Sequence, residues 1–406
     1  MQTQGNKQTK FDAIVCLSQI DWDFLWQRTQ EIMSQFAAMG YPVLFVENTG
    51  VRIPGIKDAP RIWNRLKKVF SPVKGSPTES NSNIEILSPF ALPFPYLQTA
   101  VKLNAALLRS KILQFSKQRN IPLNRILLWS YMTTPLAVEL ANSLPWAGVV
   151  VDLVSDPCKV SGAEEITVSH KKMLQSADVI LCASVPVMNT TKQYLEEGRH
   201  LKVHLFEDGF STRLIDLAKL EFKELNLHVR DAAKPLVAYI GGVNSKIWWD
   251  AVSAMAQAFP EVNFVFVGPK EYDELPCAGF GKNVAWLPPF KEYSQLGYFL
   301  KRCRAGLIPY TPTPYVAEMR PAKINEYMVM GLPIVATKMP ELQRFSDENG
   351  PGIAYLADDA DSFVAVLKQA LTEDCKEYQN KRKRITQNRS WETVCRELED
   401  NLQQSI

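Results

Sequence analysis

Little in this chain invites a metal ion or a disulfide. Histidine occurs four times, at 170, 200, 204 and 228, with no paired-histidine spacing, so the four read as surface or core residues and a dedicated transition-metal site is not expected. The seven cysteines (16, 158, 182, 277, 303, 375 and 395) are odd in number and never form a Cys-x-x-Cys pair. That pattern suits reduced, mostly buried thiols. No stretch approaches the ~18 uninterrupted apolar residues of a membrane-spanning helix. Met1 to Lys10 is polar and lacks the apolar core of a secretory signal, so the expected address is the cytoplasm. Glycine is missing from Ser18 to Asp23, the loop after the first predicted strand. A dinucleotide-binding enzyme wants Gly-x-Gly-x-x-Gly there, so that the backbone can approach a pyrophosphate, and an NAD oxidoreductase is disfavoured.

What is present is the composition of an ordinary globular chain, 46% hydrophobic and 22% charged, which excludes collagen-like and intrinsically disordered readings. Its 406 residues suffice for two or three domains. The net charge of +3 is unevenly spread. Residues 50–125 hold thirteen Lys or Arg against Asp58, Glu79 and Glu85, a net of +10, which leaves −7 for the rest. Such a block points to an anionic partner. Within 61–74, Ile62, Trp63, Leu66, Val69 and Phe70 alternate with Arg61, Arg65, Lys67 and Lys68. Within 96–115, leucines mix with Lys102, Arg109 and Lys111. Both read as basic amphipathic helices, able to lie on an anionic membrane or to cover a sheet with an ordinary solvated face. No nucleic-acid recognition motif accompanies the charge, and no nucleic-acid partner is expected.

Apolar, β-branched runs alternate with helical patterns along the chain, the signature of an α/β fold. The expected strands of the first half are 11–17, 43–46, 84–87, 126–129, 149–154 and 179–182, with helices at 24–39 and 134–143 among them. A charge-rich stretch, 216–234, reads as a linker. A second series follows, with strands at 236–240, 263–267, 283–286, 306–308 and 334–336 and helices at 248–259, 322–330 and 361–372. The polar run 376–388 then leads to a last helix, 391–404. Two doubly wound, Rossmann-like parallel-sheet domains facing across a cleft are therefore expected, with ligands at the carboxyl ends of the strands.

The loops after the strands hold the candidate site residues. Asp21, Trp22 and Asp23, followed by Arg28 and Gln30, offer carboxylates and an indole suited to a sugar acceptor. Asp21 or Asp23 could equally cap the next helix. Gly241 and Gly242 form a strand-to-helix turn whose N–H groups can face an anion, with Lys246 adding charge, although a simple tight turn would look the same. The segment Glu318–Thr337 is the most informative. Arg320 and Lys323 flank Pro321 at the start of a helix, where a diphosphate would be welcome. Glu326, one turn after Lys323, can accept from vicinal hydroxyls such as those of a ribose, and Glu318 in the preceding loop can reach a second polyol. Glu326 could instead be a dipole-favourable acid ion-paired to Lys323.

This segment resembles the donor-binding motif of family-four glycosyltransferases, whose two glutamates are separated by seven residues, as Glu318 and Glu326 are. The stretch Trp22 to Glu47 is similar to the opening of bacterial exopolysaccharide and teichuronic-acid glycosyltransferases, and Ala177 to Ser184 to the family's Ala-Asp-x-Val-x-x-x-Ser strand. The resemblance implies the two-domain GT-B fold and a nucleotide-sugar donor, with Glu318 on the donor sugar and Glu326 on the ribose. On it, residues 1–215 form the acceptor-binding domain and 235–388 the donor-binding domain, with 389–406 crossing back to the first. Three departures stand out. Met319-Arg320-Pro321 replaces Gly-Phe-Gly and is closer to the xanthan glucuronosyltransferase, where a Met-Lys pair meets the diphosphate. Glu207-Asp208-Gly209-Phe210 replaces Asn-Gly-Val-Asp, and no histidine follows the fourth strand.

The expectation is thus a metal-independent, cofactor-free transferase that moves a sugar, from a UDP-sugar by analogy, to a glycan or lipid-linked acceptor, with peripheral attachment to the inner face of the membrane. The base is expected near Gly268-Pro269 and Trp286–Pro289. Asp156, and after it Asp23, are the candidate general bases, although Asp156 before Pro157 could simply form a turn. Two rivals remain, a nucleotide-sugar epimerase on the same fold and a catalytically silent scaffold.

Overall fold

The computed structural model of the chain describes residues 9–49, 83–89, 91–159, 164–216, 234–272, 275–276, 283–373 and 375–406. The basic stretch 61–74 and nearly all of the expected linker 216–234 lie outside the described residues. The chain divides into two units, one running to Phe206 and including Cys395–Ile406, the other spanning Glu207–Val394.

The first unit is built on β1 (Ala13–Leu17), α1 (Arg28–Ala38), β2 (Val43–Val46), β3 (Ile84–Leu87), α2 (Gln98–Arg119), β4 (Ile126–Ser130), α3 (Pro135–Ser143), β5 (Gly148–Leu153), α4 (Glu164–Ser176), β6 (Val179–Cys182), α5 (Val185–Gln193) and β7 (Val203–Leu205). All seven strands are parallel, in the order β3-β2-β1-β4-β5-β6-β7. The central strands β1, β4 and β5 are buried along their whole length, as parallel strands covered on both faces must be. Prolines and hydroxyls set the helix starts: Thr134 accepts from Ala137 N and Ser184 from Val187 N, each with a proline in the first turn. The first helix begins at Arg28, four residues later than the apolar pattern suggests. Gln27 N–H donates to Gln30 Oε1 at 3.2 Å, so the helix is capped there and 21–26 is left as a turn.

The second unit comprises β8 (Leu236–Ile240), α6 (Trp249–Ala258), β9 (Asn263–Val267), β10 (Val284–Leu287), α7 (Tyr293–Lys301), β11 (Cys303–Ile308), α8 (Pro314–Ala317), α9 (Lys323–Val329), β12 (Ile334–Thr337), α10 (Pro340–Asn349), β13 (Ala354–Ala357), α11 (Ala360–Glu373) and α12 (Lys376–Thr386). Helix α13 (Trp391–Ser405) begins here and ends in the first unit, where Tyr41 donates to its Glu399 at 2.7 Å. The six strands are again parallel, in the order β10-β9-β8-β11-β12-β13. The strand order therefore reverses between β8 and β11, the topological switch point at which such sheets bind ligands.

A tyrosine cements that point. A Cβ at Gly306 would lie 2.3 Å from the Tyr327 ring, so the glycine makes room for it. The Tyr327 hydroxyl donates toward the carbonyls of Ala238 and Leu307 (3.0 and 3.1 Å) and accepts from Ile240 N at 3.1 Å. The polar run 376–388 proves to be helix α12, packed through Arg382, which is fully buried. Arg382 Nε and Nη2 donate to the Gly331 carbonyl at 2.9 and 2.7 Å, and Nη1 donates to that of Gly352. The edge strands β7 and β13 are short and only partly buried, and neither is among the strands the sequence pattern predicts.

Candidate functional site

In the second unit, the loops after β8, β9 and β11 converge on one lysine. Gly241 has φ +117° and Gly268 φ +147°. A Cβ at Gly268 would stand 2.1 Å from the Gly241 carbonyl oxygen, so the two loops can nest only because Gly268 carries no side chain. Lys323 Nζ fills the space above Gly241, 3.2 Å from where a Cβ would be. It donates to the Tyr310 hydroxyl at 2.9 Å and lies 3.8 Å from the centre of the Tyr239 ring. The Tyr239 hydroxyl in turn donates to the Gly242 carbonyl at 2.8 Å. Lys246 reaches over the Tyr315 ring at 5.3 Å. Burial by itself would push the Tyr310 phenol up, but the adjoining Lys323 ammonium, a Tyr239 hydrogen bond and the charge of Lys246 hold it below the ordinary tyrosine value.

Glu326 sits one turn after Lys323, partly buried, and accepts from Tyr293 Oη at 3.2 Å. Arg213 lies over the same tyrosine's ring, 5.3 Å from the centre of Tyr293. Glu318 is buried just after α8, its N–H bonded to Tyr315 O at 3.3 Å. Helix α9 has seven residues and begins at Lys323, one residue later than the sequence pattern suggests.

Arg320 is not brought to this group. Its buried Nε lies 3.2 Å from Glu207 Oε1, with the guanidinium 5.4 Å from the Phe345 ring centre. Glu207 also pairs with Arg344 at 2.8 Å and Arg389 at 2.9 Å. Burial works against the Glu207 carboxylate, yet Arg320, Arg389 and Arg344 together lower its pKa. The segment that departs from Asn-Gly-Val-Asp thus supplies, through Glu207, an anion for three arginines, Arg320 among them. Trp286 is likewise committed. Its Nε1 donates to the Gly268 carbonyl at 2.8 Å, and Lys270 Nζ covers the ring at 4.8 Å.

The first-unit candidates separate in the same way. Trp22, expected on the acceptor, is 4% exposed and packs edge-on against Phe45 and Trp26, at 4.9 and 5.3 Å. Arg28 is buried in a forked pair with Asp152, Nε to both carboxylate oxygens at 3.0 and 3.2 Å and Nη2 to Oδ1 at 2.9 Å. Both are core residues, because a buried guanidinium needs a fixed anion and an indole of this size needs a packed wall. Asp23 is exposed and Asp21 partly so.

Asp156 follows β5 and is buried, with Oδ1 accepting from Cys158 N at 2.8 Å and Oδ2 from Tyr194 Oη at 3.0 Å. The Tyr194 ring meets His170 edge-on at 5.3 Å, and His170 Nδ1 is 3.1 Å from Thr133 Oγ1. Burial pushes His170 down to about 4, against the opposing charge of Asp156. Among the described residues, Asp156, Cys158 and His170 offer ligand atoms within 4.8 Å of one another, a mixed oxygen, sulfur and nitrogen set of the kind zinc accepts. Each of the three is already held by a hydrogen bond.

Sequence reading missed Tyr239, Tyr310 and Tyr293, and noted Glu207 only as part of a motif departure. The first two were open to the rule that singled out the glycines, since Tyr239 precedes the Gly-Gly turn and Tyr310 lies just past the end of β11.

Comparison with known proteins agrees with this geometry. Residues 234–373, which contain Gly241, Gly268, Lys323 and Glu326, match the family described as glycosyl transferases group 1. The Bacillus subtilis (strain 168) protein TuaH, named as a teichuronic acid biosynthesis glycosyltransferase, is 25% identical over 239 residues, 56% of this chain and 57% of the relative. The match therefore spans little more than half the length of that relative. Sucrose-phosphate synthase from Thermosynechococcus elongatus superposes with a TM-score of 0.67 at 14% identity, covering 97% of this chain and 98% of that one. Anabaena HepE, solved in complex with UDP, gives 0.63 at 15% identity over 97% and 99%. The chain has the GT-B glycosyltransferase fold. The match to glycosyl transferases group 1 falls within its second unit.

Proposed function

We propose that this chain transfers a sugar from a nucleoside diphosphate donor, a UDP-sugar, to a glycan or lipid-linked acceptor in cell-surface polysaccharide synthesis. The observation that carries the reading is the Lys323 ammonium set beside the Gly241 turn at the switch point, with Glu326 one turn further on. UDP in the HepE structure and the teichuronic acid role in the name of TuaH support the donor and the pathway class.

On this reading Lys323, Lys246 and the backbone at Gly241 and Gly242 take the diphosphate, Glu326 the ribose and Glu318 the donor sugar. The acceptor oxygen attacks the anomeric carbon, the bond from that carbon to the diphosphate breaks, and the nucleoside diphosphate leaves. Its growing charge is met by the two ammonium groups, without a resident metal or cofactor. In an inverting course Asp156 takes the acceptor proton, oriented by Tyr194. The exposed leucines of α2, rimmed by Lys102, Arg109 and Lys111, provide the contact with an anionic membrane surface that holds a lipid-linked acceptor.

A thermal-shift panel of UDP, GDP, dTDP and ADP on wild type and Glu326→Ala tests the donor assignment. At a hundredfold excess over Kd, a true ligand adds roughly 2.7 kcal/mol. That corresponds to a rise of about 5–10 °C for units of this size. UDP should raise the wild type and not the variant. No shift with any of the four would leave the enzyme reading without support.

A further inference from the structure

Lys323 is a buried cation held by rings. The residue is 8% exposed, and among the described residues no carboxylate lies within 4.0 Å of its ammonium. A charge in that setting is costly unless something stabilises it. Its neighbours are the Tyr310 hydroxyl at 2.9 Å and two aromatic faces, Tyr239 at 3.8 Å and Tyr310 at 5.1 Å from the ring centres. The cage is itself fixed. Tyr239 is tied to the Gly242 carbonyl at 2.8 Å and leans on Phe266 at 5.4 Å, and the two tyrosine rings meet edge-on at 6.4 Å.

A carboxylate in the place of Tyr239 would neutralise the ammonium and repel an incoming phosphate. The face of an aromatic ring stabilises a cation through its quadrupole and brings no net negative charge. An ammonium has three donors, and the cage uses one of them, on Tyr310.

We propose that Tyr239 and Tyr310 are positioning residues that hold the Lys323 ammonium aimed at the Gly241 turn, so that it meets the phosphates of the donor. The inference rests on the nucleotide-sugar reading above and assigns to these two tyrosines a part that acts only through Lys323.

The test is the affinity of the full-length chain for UDP, by isothermal titration, and for uridine, by ligand-observed NMR. Wild type, Lys323→Ala, Tyr239→Leu, Tyr239→Phe and Tyr310→Phe are compared, with circular dichroism to verify folding. Removing the ring in Tyr239→Leu should weaken UDP by about tenfold to thirtyfold, the range of a desolvated cation–π contact. Uridine should stay within about threefold. Tyr239→Phe keeps the ring and should rescue UDP binding to within about threefold of wild type, and Tyr310→Phe, which loses one hydrogen bond, should weaken UDP by about threefold to tenfold. If Lys323→Ala loses UDP while Tyr239→Leu binds it normally, the cage is overturned and the donor site stands. Parallel loss of UDP and uridine in Tyr239→Leu would show a merely structural ring and also overturn it. A wild type that binds no UDP would remove the nucleotide reading itself, and this inference with it.

Discussion

In the first unit, His170 lies 1% exposed beside Tyr194 and Thr133, and burial pushes its pKa down to about 4. In the unfolded chain an imidazole titrates near ~6.5. The unfolded state therefore binds more protons between those values, so stability is complete above about pH 6.5 and falls as the pH drops toward 4. His170→Gln, which retains a polar partner for Thr133, should be free of this loss. Between pH 7 and pH 4.5 wild type should lose about 2–3 kcal/mol more than the variant, measured by urea unfolding. Parallel losses would mean that His170 is not neutral in the fold. The pattern Lys323-x-x-Glu326 could be read because residues three apart share a face of one helix, here α9. Arg320 and Arg28 have the same outward chemistry as a phosphate or acceptor contact. Only the surrounding chain shows that one turns to Glu207 and the other to Asp152.

Elements are positioned by steric exclusions that local pattern does not announce. The nested turns after β8 and β9 depend on Gly268, where an added Cβ would meet the Gly241 carbonyl at 2.1 Å. Gly268→Ala should therefore cost more than the ~1–3 kcal/mol of ordinary overpacking, because both the clash and the φ of +147° are backbone constraints. Chemical denaturation would show it, and nucleotide-induced thermal shifts should vanish in the variant even where it stays folded. A normal shift would mean that the two turns are not part of one site. The strands were legible because parallel strands buried on both faces are uninterrupted apolar runs, as in Leu236–Ile240 and 264–267. Helix α12 was not, because its buried residues are Arg382 and Thr386. A guanidinium that satisfies the carbonyls of Gly331 and Gly352 is invisible to any hydrophobic period.

Over the whole molecule, none of the helices among the described residues is long and apolar enough to cross a membrane. Helix α2 instead divides its apolar residues. Val101, Leu108, Ile112 and Phe115 are buried, while Leu103, Leu107 and Leu113 are 50, 42 and 41% exposed. Lys102 and Lys111 flank the exposed leucines. On the proposed membrane role, Leu103→Glu with Leu107→Glu should reduce sedimentation with vesicles containing phosphatidylserine by about tenfold or more and leave UDP binding unchanged. Equal sedimentation of variant and wild type would refute that contact.

The sequence by itself determined the class of fold, the alternation of strands and helices in two series, and the spacing of the glutamates and Lys323. All of these are periodic or local properties, written in neighbouring residues. Only the tertiary structure decided what each cation packs against. It placed Lys323 against Tyr239 and Tyr310, and Arg320 against Glu207. Those partners lie far apart in the chain, and whether a buried charge meets an anion or an aromatic face depends on how the strands bring them together.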